Sequence, residues 1–396
     1  MDKSIKTYSL PELASVMKEL GQPAFRAQQL QEWLYQRHAS SYDEMTNLPG
    51  SLRATLAERF PLTMPTVVDR QISKDGTRKY LVEFDDGIRV ETVGIPSRNG
   101  DRLTVCFSTQ AGCPIACAFC ATGQEGFARN LTPGEIVDQV LIVQEDMGKR
   151  VTNAVGMGQG EPFLNYDNTM AALRILNHKK GLEIGARHIS VSTCGILPGL
   201  ERFSEEPEQF TLAVSLHAAR QPIRDLIMPN VARYKLPSLK EALQNYVAKT
   251  NRRVTLEYIM IEGVNDAPAD LKALQKFCSN LLCHVNLIPI NAIEGSEFQP
   301  SSPETINLWL SEISKKGTEA TLRDSRGSDI SGACGQLKNT FKPCNGSVSR
   351  ETLQLPTVAT DAQENTYTKI RKPGMFHVKH SGLSFGNLST FRTLQL

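Results

Sequence analysis

Long apolar runs are missing from this 396-residue chain. No uninterrupted stretch approaches the roughly 18 to 20 residues a helix needs to cross a bilayer. The opening MDKSIKTYSL contains no apolar segment of the secretory kind. Both absences argue against a membrane or exported protein and predict a cytoplasmic location. A surplus of one charge is missing too. The formal net charge is +2, with 44 Lys and Arg against 42 Asp and Glu. Residues 341–396 hold seven basic and three acidic side chains, which leaves 37 against 39 in the first 340. A nucleic-acid partner would therefore need a local basic surface. A disulfide framework is missing as well: nine cysteines, an odd count, stand unevenly at 106, 113, 117, 120, 194, 278, 283, 334 and 344. Metal binding or thiol chemistry is the better reading in a chain without export signals. Four of the nine fall within residues 106–120.

What remains is 40% hydrophobic and 22% charged, the composition of a folded globular protein. Its length suits two or three domains of roughly 100 to 200 residues each. Residues 10–60 read as helical: LPELASVMKEL and FRAQQLQEWLYQRH repeat apolar residues every three or four positions, separated by Gly21-Gln22-Pro23. We read residues 1–65 as a helical unit. Residues 66–98 change to alternation, with Asp85-Asp86-Gly87 placed as a hairpin turn, and form a β linker. From 99 to 340, short β-rich runs (LTVCFST, VTNAVGM, HISVSTC, FTLAVSLH, RVTLEYIMI, HVNLIPI, EATLRDS) alternate with amphipathic helices. Thr132 to Glu135 and Ser238 to Glu241 have capping-box form. Strands alternating with helices predict a parallel sheet, and six or seven units predict an α/β fold built as a partial (β/α)6 barrel. Such a sheet places chemistry at the C-terminal ends of its strands. Periodicity stops near 340, and 341–396 read as a flexible tail.

The strongest chemical signal is Cys113-Pro-Ile-Ala-Cys117-Ala-Phe-Cys120, directly after the first strand of the βα array. Three thiolates on one loop can hold a soft metal centre such as an iron–sulfur cluster. Structural zinc normally takes four protein ligands, and the loop itself holds no fourth Cys or His. A zinc knuckle completed from a distance, or plain core cysteines, are the alternatives. Phe119 adds apolar shielding or simply packs. Gly160-Glu161, Ser192, Ser215 to His217, and Asn291 all fall at the ends of expected strands. Gly156, Gly158 and Gly160 do not make a dinucleotide loop, because the third glycine is misplaced and Pro162 interrupts the helix.

C-x3-C-x2-C with an aromatic before the last Cys resembles the signature of radical S-adenosylmethionine (SAM) enzymes. STQAGCPIACAFCATGQEGFARNLTPGEIVDQV, GQGEPFLN, VSTCG, AVSLHA, NLIPIN and RGSDISGACGQL, in that order, resemble the RlmN/Cfr family of adenosine methyltransferases. With FRAQQLQEWLYQR and SYDEMTNLP, the resemblance covers roughly residues 10–340. It implies a radical SAM barrel with an N-terminal helical accessory domain, and a [4Fe-4S] cluster on Cys113, Cys117 and Cys120 with one iron left for SAM. It implies SAM contacts from Gly160, Glu161, Ser192, Ser215, Leu216, His217 and Asn291. Gln159 and Cys194 stand where the family usually has Met and Ser.

The resemblance also pairs two distant cysteines, each of which alone reads as a buried apolar residue. It implies that Cys334 accepts a methyl group from one SAM, and that a 5′-deoxyadenosyl radical from a second SAM takes hydrogen from that methyl. The methylene radical then adds to the adenine ring. Cys106 removes the ring proton and resolves the protein–RNA crosslink as a disulfide with Cys334. Glu91 matches the family's proposed proton acceptor, or is a strand glutamate facing water. Cys278 and Cys283 read as core, and Cys344 as tail.

The implied substrates are an adenosine of 23S rRNA at the peptidyl-transferase centre and the adenosine beside the anticodon in tRNA. The ring must be unstacked to be reached. The first 65 residues, with seven basic and seven acidic side chains, are expected to dock RNA. Phosphate contacts would come from one face or from Lys149-Arg150, Lys179-Lys180 and Arg252-Arg253. An electron donor such as flavodoxin or ferredoxin and a monomeric state complete the expectation. Methylation at carbon 8, or a non-catalytic RNA-binding protein with structural zinc, are the competing readings.

Overall fold

The computed structural model describes residues 3–291, 297–323 and 325–330. Cys334, Cys344 and the expected tail lie outside the described residues.

The first helical periods become α1 (Leu10–Glu19) and α2 (Phe25–Tyr35), followed by α3 (Gly50–Arg59). The break falls at Gly21, whose φ of +67° continues no helix. Leu13, Met17, Leu30, Leu34, Leu56 and Phe60 form the buried side of this unit. A buried ion pair fastens it to the rest of the molecule: Lys6 Nζ lies 2.8 Å from Asp138 Oδ1. Lys6 also packs where a Cβ on Gly134 would come within 2.6 Å of its carbonyl oxygen.

The alternating segment forms an antiparallel meander, β1 (Thr66–Ile72), β2 (Arg78–Glu83) and β3 (Arg89–Pro96). Its turn is the expected one: Gly87 adopts φ +76° and donates to the Phe84 carbonyl at 2.8 Å. β3 pairs antiparallel with β4 (Leu103–Cys106), which places Val93 opposite Cys106. The meander is therefore continuous with the sheet that follows.

After β4 come a small hairpin, β5 (Gln110–Gly112) and β6 (Phe127–Asn130), with α4 (Ala121–Gln124) in its connection. The βα array then runs α5 (Pro133–Met147), β7 (Asn153–Gly156), α6 (Tyr166–Asn177), β8 (Ile189–Thr193), α7 (Leu197–Ser204) and β9 (Thr211–Ser215). It continues through α8 (Gln221–Ile227), α9 (Leu236–Thr250), β10 (Val254–Met260), α10 (Pro268–Cys278), β11 (Cys283–Pro289), α11 (Pro303–Lys315) and β12 (Glu319–Leu322). Each β-rich run of the sequence supplies one strand. From β4 onward the order is β4-β7-β8-β9-β10-β11-β12 with every pair parallel, a partial barrel of six βα units and a closing strand among the described residues.

The Thr132–Glu135 capping box forms as expected. The Ser238 box does not: α9 begins earlier, at Leu236, with Pro237 in its first turn, so Ser238 is already helical. Proline is well tolerated there because its missing N–H has no helical partner to lose.

The two sheet faces differ. Val105, Ala154, Val191, Val214, Leu256 and Val285 point outward and are fully buried beneath the helices. The alternate positions point into the open barrel and are largely polar: Thr104, Ser190, Ser192, Ser215, Glu257 and Asn286. A sheet apolar on one side and polar on the other leaves its polar side for a ligand.

Candidate active site

The three clustered cysteines occupy the connection of the β5–β6 hairpin, pinned where the Cys113 amide donates to the Gly126 carbonyl at 2.8 Å. The loop wraps tightly. Ala116 adopts φ +54°, and a Cβ on Gly123 would lie 2.9 Å from the Cys117 nitrogen. Amides aim at the sulfurs: Ile115 toward Cys113, Thr122 and Gly123 toward Cys120. Burial, then the adjacent Cys117 sulfur, push the Cys120 thiol up to about 11. Burial also raises Cys113.

One cavity opens beside this loop at the C-terminal strand ends. Of the residues singled out in the sequence, Cys106, Cys120, Gly160, Glu161, Ser192, Ser215, His217 and Asn291 line it. The backbone needs glycine here: a Cβ on Gly158 would lie 2.7 Å from the Phe107 carbonyl, and one on Gly160, at φ +100°, 2.6 Å from Gln110. Ser192 and Ser215 bring their hydroxyls within 3.3 Å of each other. His217 Nδ1 accepts from the Ile259 amide at 3.1 Å, which leaves Nε2 as the protonated nitrogen. Burial, then the charge of Arg224, lower its pKa to about 3, so the ring is neutral. The Phe119 ring meets it edge-on at 4.9 Å. The Glu161 carboxylate is committed to the fold, accepting from Cys194 N at 2.6 Å and Phe163 N at 3.0 Å. Leu216 is fully buried and does not line the cavity.

Glu91 does not face water. It is 4% exposed and pairs with Lys79, Nζ to Oε1 at 2.8 Å, on the sheet face that carries Cys106.

Comparisons with known proteins agree with this geometry. Residues 107–274 match the model of the radical SAM superfamily, and residues 5–62 match that of the ribosomal RNA large subunit methyltransferase N-terminal domain. A Clostridium perfringens protein described as a probable dual-specificity RNA methyltransferase RlmN is 43% identical over 345 residues, 87% of this chain and 99% of that protein. One of the same description from Staphylococcus carnosus is 45% identical over 339 residues, 85% of this chain and 93% of its own length. The chain belongs to the RlmN family. The crystal structure of a radical SAM methyltransferase from Sphaerobacter thermophilus superposes with a TM-score of 0.79 at 45% identity, covering 85% of this chain and all of that one. The protein is accordingly an RNA methyltransferase of the radical SAM class, and its family implies a [4Fe-4S] cluster and SAM.

The cysteine loop fits such a cluster. A cube binds each thiolate at a separate corner iron, and this loop offers three sulfurs, with backbone amides aimed at those of Cys113 and Cys120. Cationic iron also relieves the cost that burial places on the thiolates.

Two charged residues of this cavity were not singled out in the sequence. Glu257 and Arg323 line the cavity and meet at 3.3 Å, with Asn286 donating to Glu257 at 3.0 Å. Cys194, noted in the sequence only as a departure from the family pattern, also lines it, with its sulfur hydrogen-bonded to that of Cys117. A glutamate within the apolar run LEYIM was the available signal for Glu257. The basic doublets lie elsewhere: Lys149-Arg150, Lys179-Lys180 and Arg252-Arg253 precede β7, β8 and β10, at the opposite end of the parallel sheet. Four of these residues are engaged: Lys180 with Glu32, Arg253 with Glu319, Arg252 with the Phe210 carbonyl and Arg150 with the Glu183 carbonyl. Among the described residues no helix is long and apolar enough to cross a membrane.

Proposed function

We propose that the chain methylates carbon 2 of an adenosine in 23S rRNA, and of the adenosine 3′ to the anticodon in tRNA. That carbon is not nucleophilic, so a methyl cation equivalent cannot be transferred to it directly. The cluster with SAM supplies the 5′-deoxyadenosyl radical that makes the alternative route available. Cys113, Cys117 and Cys120 hold the cluster. Ser192, Ser215, His217 and Asn291 bind SAM, with the backbone around Gly160 and the loop braced by Glu161. His217 serves as a neutral donor through Nε2–H. Cys334 carries the methyl group, Cys106 resolves the adduct, and Glu91 accepts a proton. Two SAM molecules are used in each turnover, one for the methyl and one for the radical.

The observation that carries this reading is the placement of Cys106 in the same cavity as Cys120 and the strand-end residues. A resolving thiol is useful only where the radical chemistry takes place. Mass spectrometry of rRNA and tRNA nucleosides after deletion and complementation tests it: 2-methyladenosine should vanish and return in both. A return of 8-methyladenosine instead overturns the assignment of the carbon, and an unaltered tRNA overturns the dual target. Cys334→Ala should hold iron and sulfide yet carry no methyl, and Cys106→Ala should accumulate a covalent RNA adduct.

A further inference from the structure

Helix α8 carries a guanidinium into the interior without a carboxylate to meet it. Arg224 is fully buried. Its Nη2 donates to the Cys194 carbonyl at 2.6 Å and its Nε to the Leu216 carbonyl at 3.3 Å, tying the ends of β8 and β9 together. Nη1 is buried without a hydrogen-bond partner, and among the described residues no Asp or Glu oxygen is bonded to this side chain. A buried cation lacking an anion is strongly unfavourable. The fold would retain it only with a counter-charge.

That counter-charge is on the neighbouring loop. One turn after Arg224, the Ile227 carbonyl accepts from the Ala118 amide at 2.9 Å, so α8 is docked between two of the clustered cysteines. Cys194, whose carbonyl Arg224 holds, bonds through its sulfur to Cys117. The groups whose charge, when ionised, acts most on the guanidinium are the Cys194 and Cys117 sulfurs, ahead of Asp225, and of the two sulfurs only Cys117 becomes a thiolate by holding iron.

We infer that Arg224 is the counter-ion of the iron–sulfur centre on its Cys117 side and that its charge sets the reduction potential of the bound cluster. This rests on the reading that Cys113, Cys117 and Cys120 hold a [4Fe-4S] cluster. Three thiolates on a doubly positive cube leave one net negative charge, and the electron needed for SAM cleavage makes it two. A fixed cation in a low-dielectric setting favours the more negative state and so raises the potential. Arg224 is thus a positioning residue: it touches protein carbonyls rather than the reacting atoms.

The test compares Arg224→Lys, which keeps the charge, with Arg224→Gln, which keeps hydrogen-bonding capacity and loses it. Each variant and the wild type are reconstituted anaerobically, assayed for iron and sulfide, checked for fold by circular dichroism, and titrated by EPR against potential. Arg224→Lys should hold the cluster near the wild-type midpoint. Arg224→Gln should shift the midpoint to a more negative value, or lose the cluster while remaining folded. Equal midpoints in all three proteins, loss of the cluster from both variants alike, or loss from Arg224→Lys alone would overturn the charge role. Failure of the wild type itself to take up iron and sulfide would instead overturn the cluster reading.

Discussion

Val93 stands opposite both Lys79 on β2 and Cys106 on β4, so the ammonium and the thiol share one row of the inner sheet face. Glu91, two residues before Val93, completes a buried ion pair with Lys79 on that face. Removing either partner strands a charge away from water. Lys79→Met and Glu91→Leu are each expected to cost about 3–5 kcal/mol. The double variant should cost clearly less than their sum, because neither charge is then left alone. Urea unfolding of the four proteins measures the cycle, and strictly additive losses would show that the two groups are not coupled.

His217 gives the fold a pH dependence of defined sign. Its folded-state pKa of about 3 lies below the ordinary 6.5, through burial and the Arg224 charge. On acidification the unfolded chain takes up this proton first. The stability contributed by the neutral ring is full above about 6.5 and is lost as pH falls toward 3. Over that interval the loss approaches about 1.4 kcal/mol per pH unit for one proton. Urea unfolding at several pH values should give His217→Gln a shallower slope than the wild type by about that amount. Identical slopes would mean that the imidazole is not held neutral.

Gly160 is required by backbone geometry. At φ +100°, with Gln110 where a Cβ would stand, it admits no side chain without displacement of the loop. Gly160→Ala should lose about 1–3 kcal/mol of stability and weaken SAM binding, read by calorimetry. Gly148→Ala, also at positive φ but with nothing within 4 Å of its Cβ position, should lose stability without affecting SAM. Equal SAM affinity in both variants would remove the loop from the binding site.

Much of this architecture was legible because period decides pairing. The runs around Val105, Val191 and Val214 read as strands because their outward faces are uniformly apolar, and the same register placed Ser192, Ser215 and His217 at one end. The union of the meander with the barrel was not legible, since a strand shows its own alternation but not its neighbour, and β3 meets β4 across a turn with no helix between. Polar interior residues were missed for a different reason. Lys79, Arg224 and Glu257 occupy positions that usually face solvent, and only the partners that bury them, Glu91, the Cys194 and Leu216 carbonyls, and Asn286 with Arg323, show their direction. For Ser238, two overlapping helix-start signals were present, and the earlier one, Leu236-Pro237, prevailed.

The central claim is that Cys113, Cys117 and Cys120 grip a cubane with one iron left open to SAM. Anaerobic reconstitution followed by EPR of the dithionite-reduced protein, with and without SAM, tests it most directly. We expect about four irons and four sulfides per chain, a reduced-cluster signal that changes when SAM is added, and loss of that signal in Cys117→Ala. A colourless protein that retains one tightly bound zinc, or a cluster signal indifferent to SAM, would contradict it.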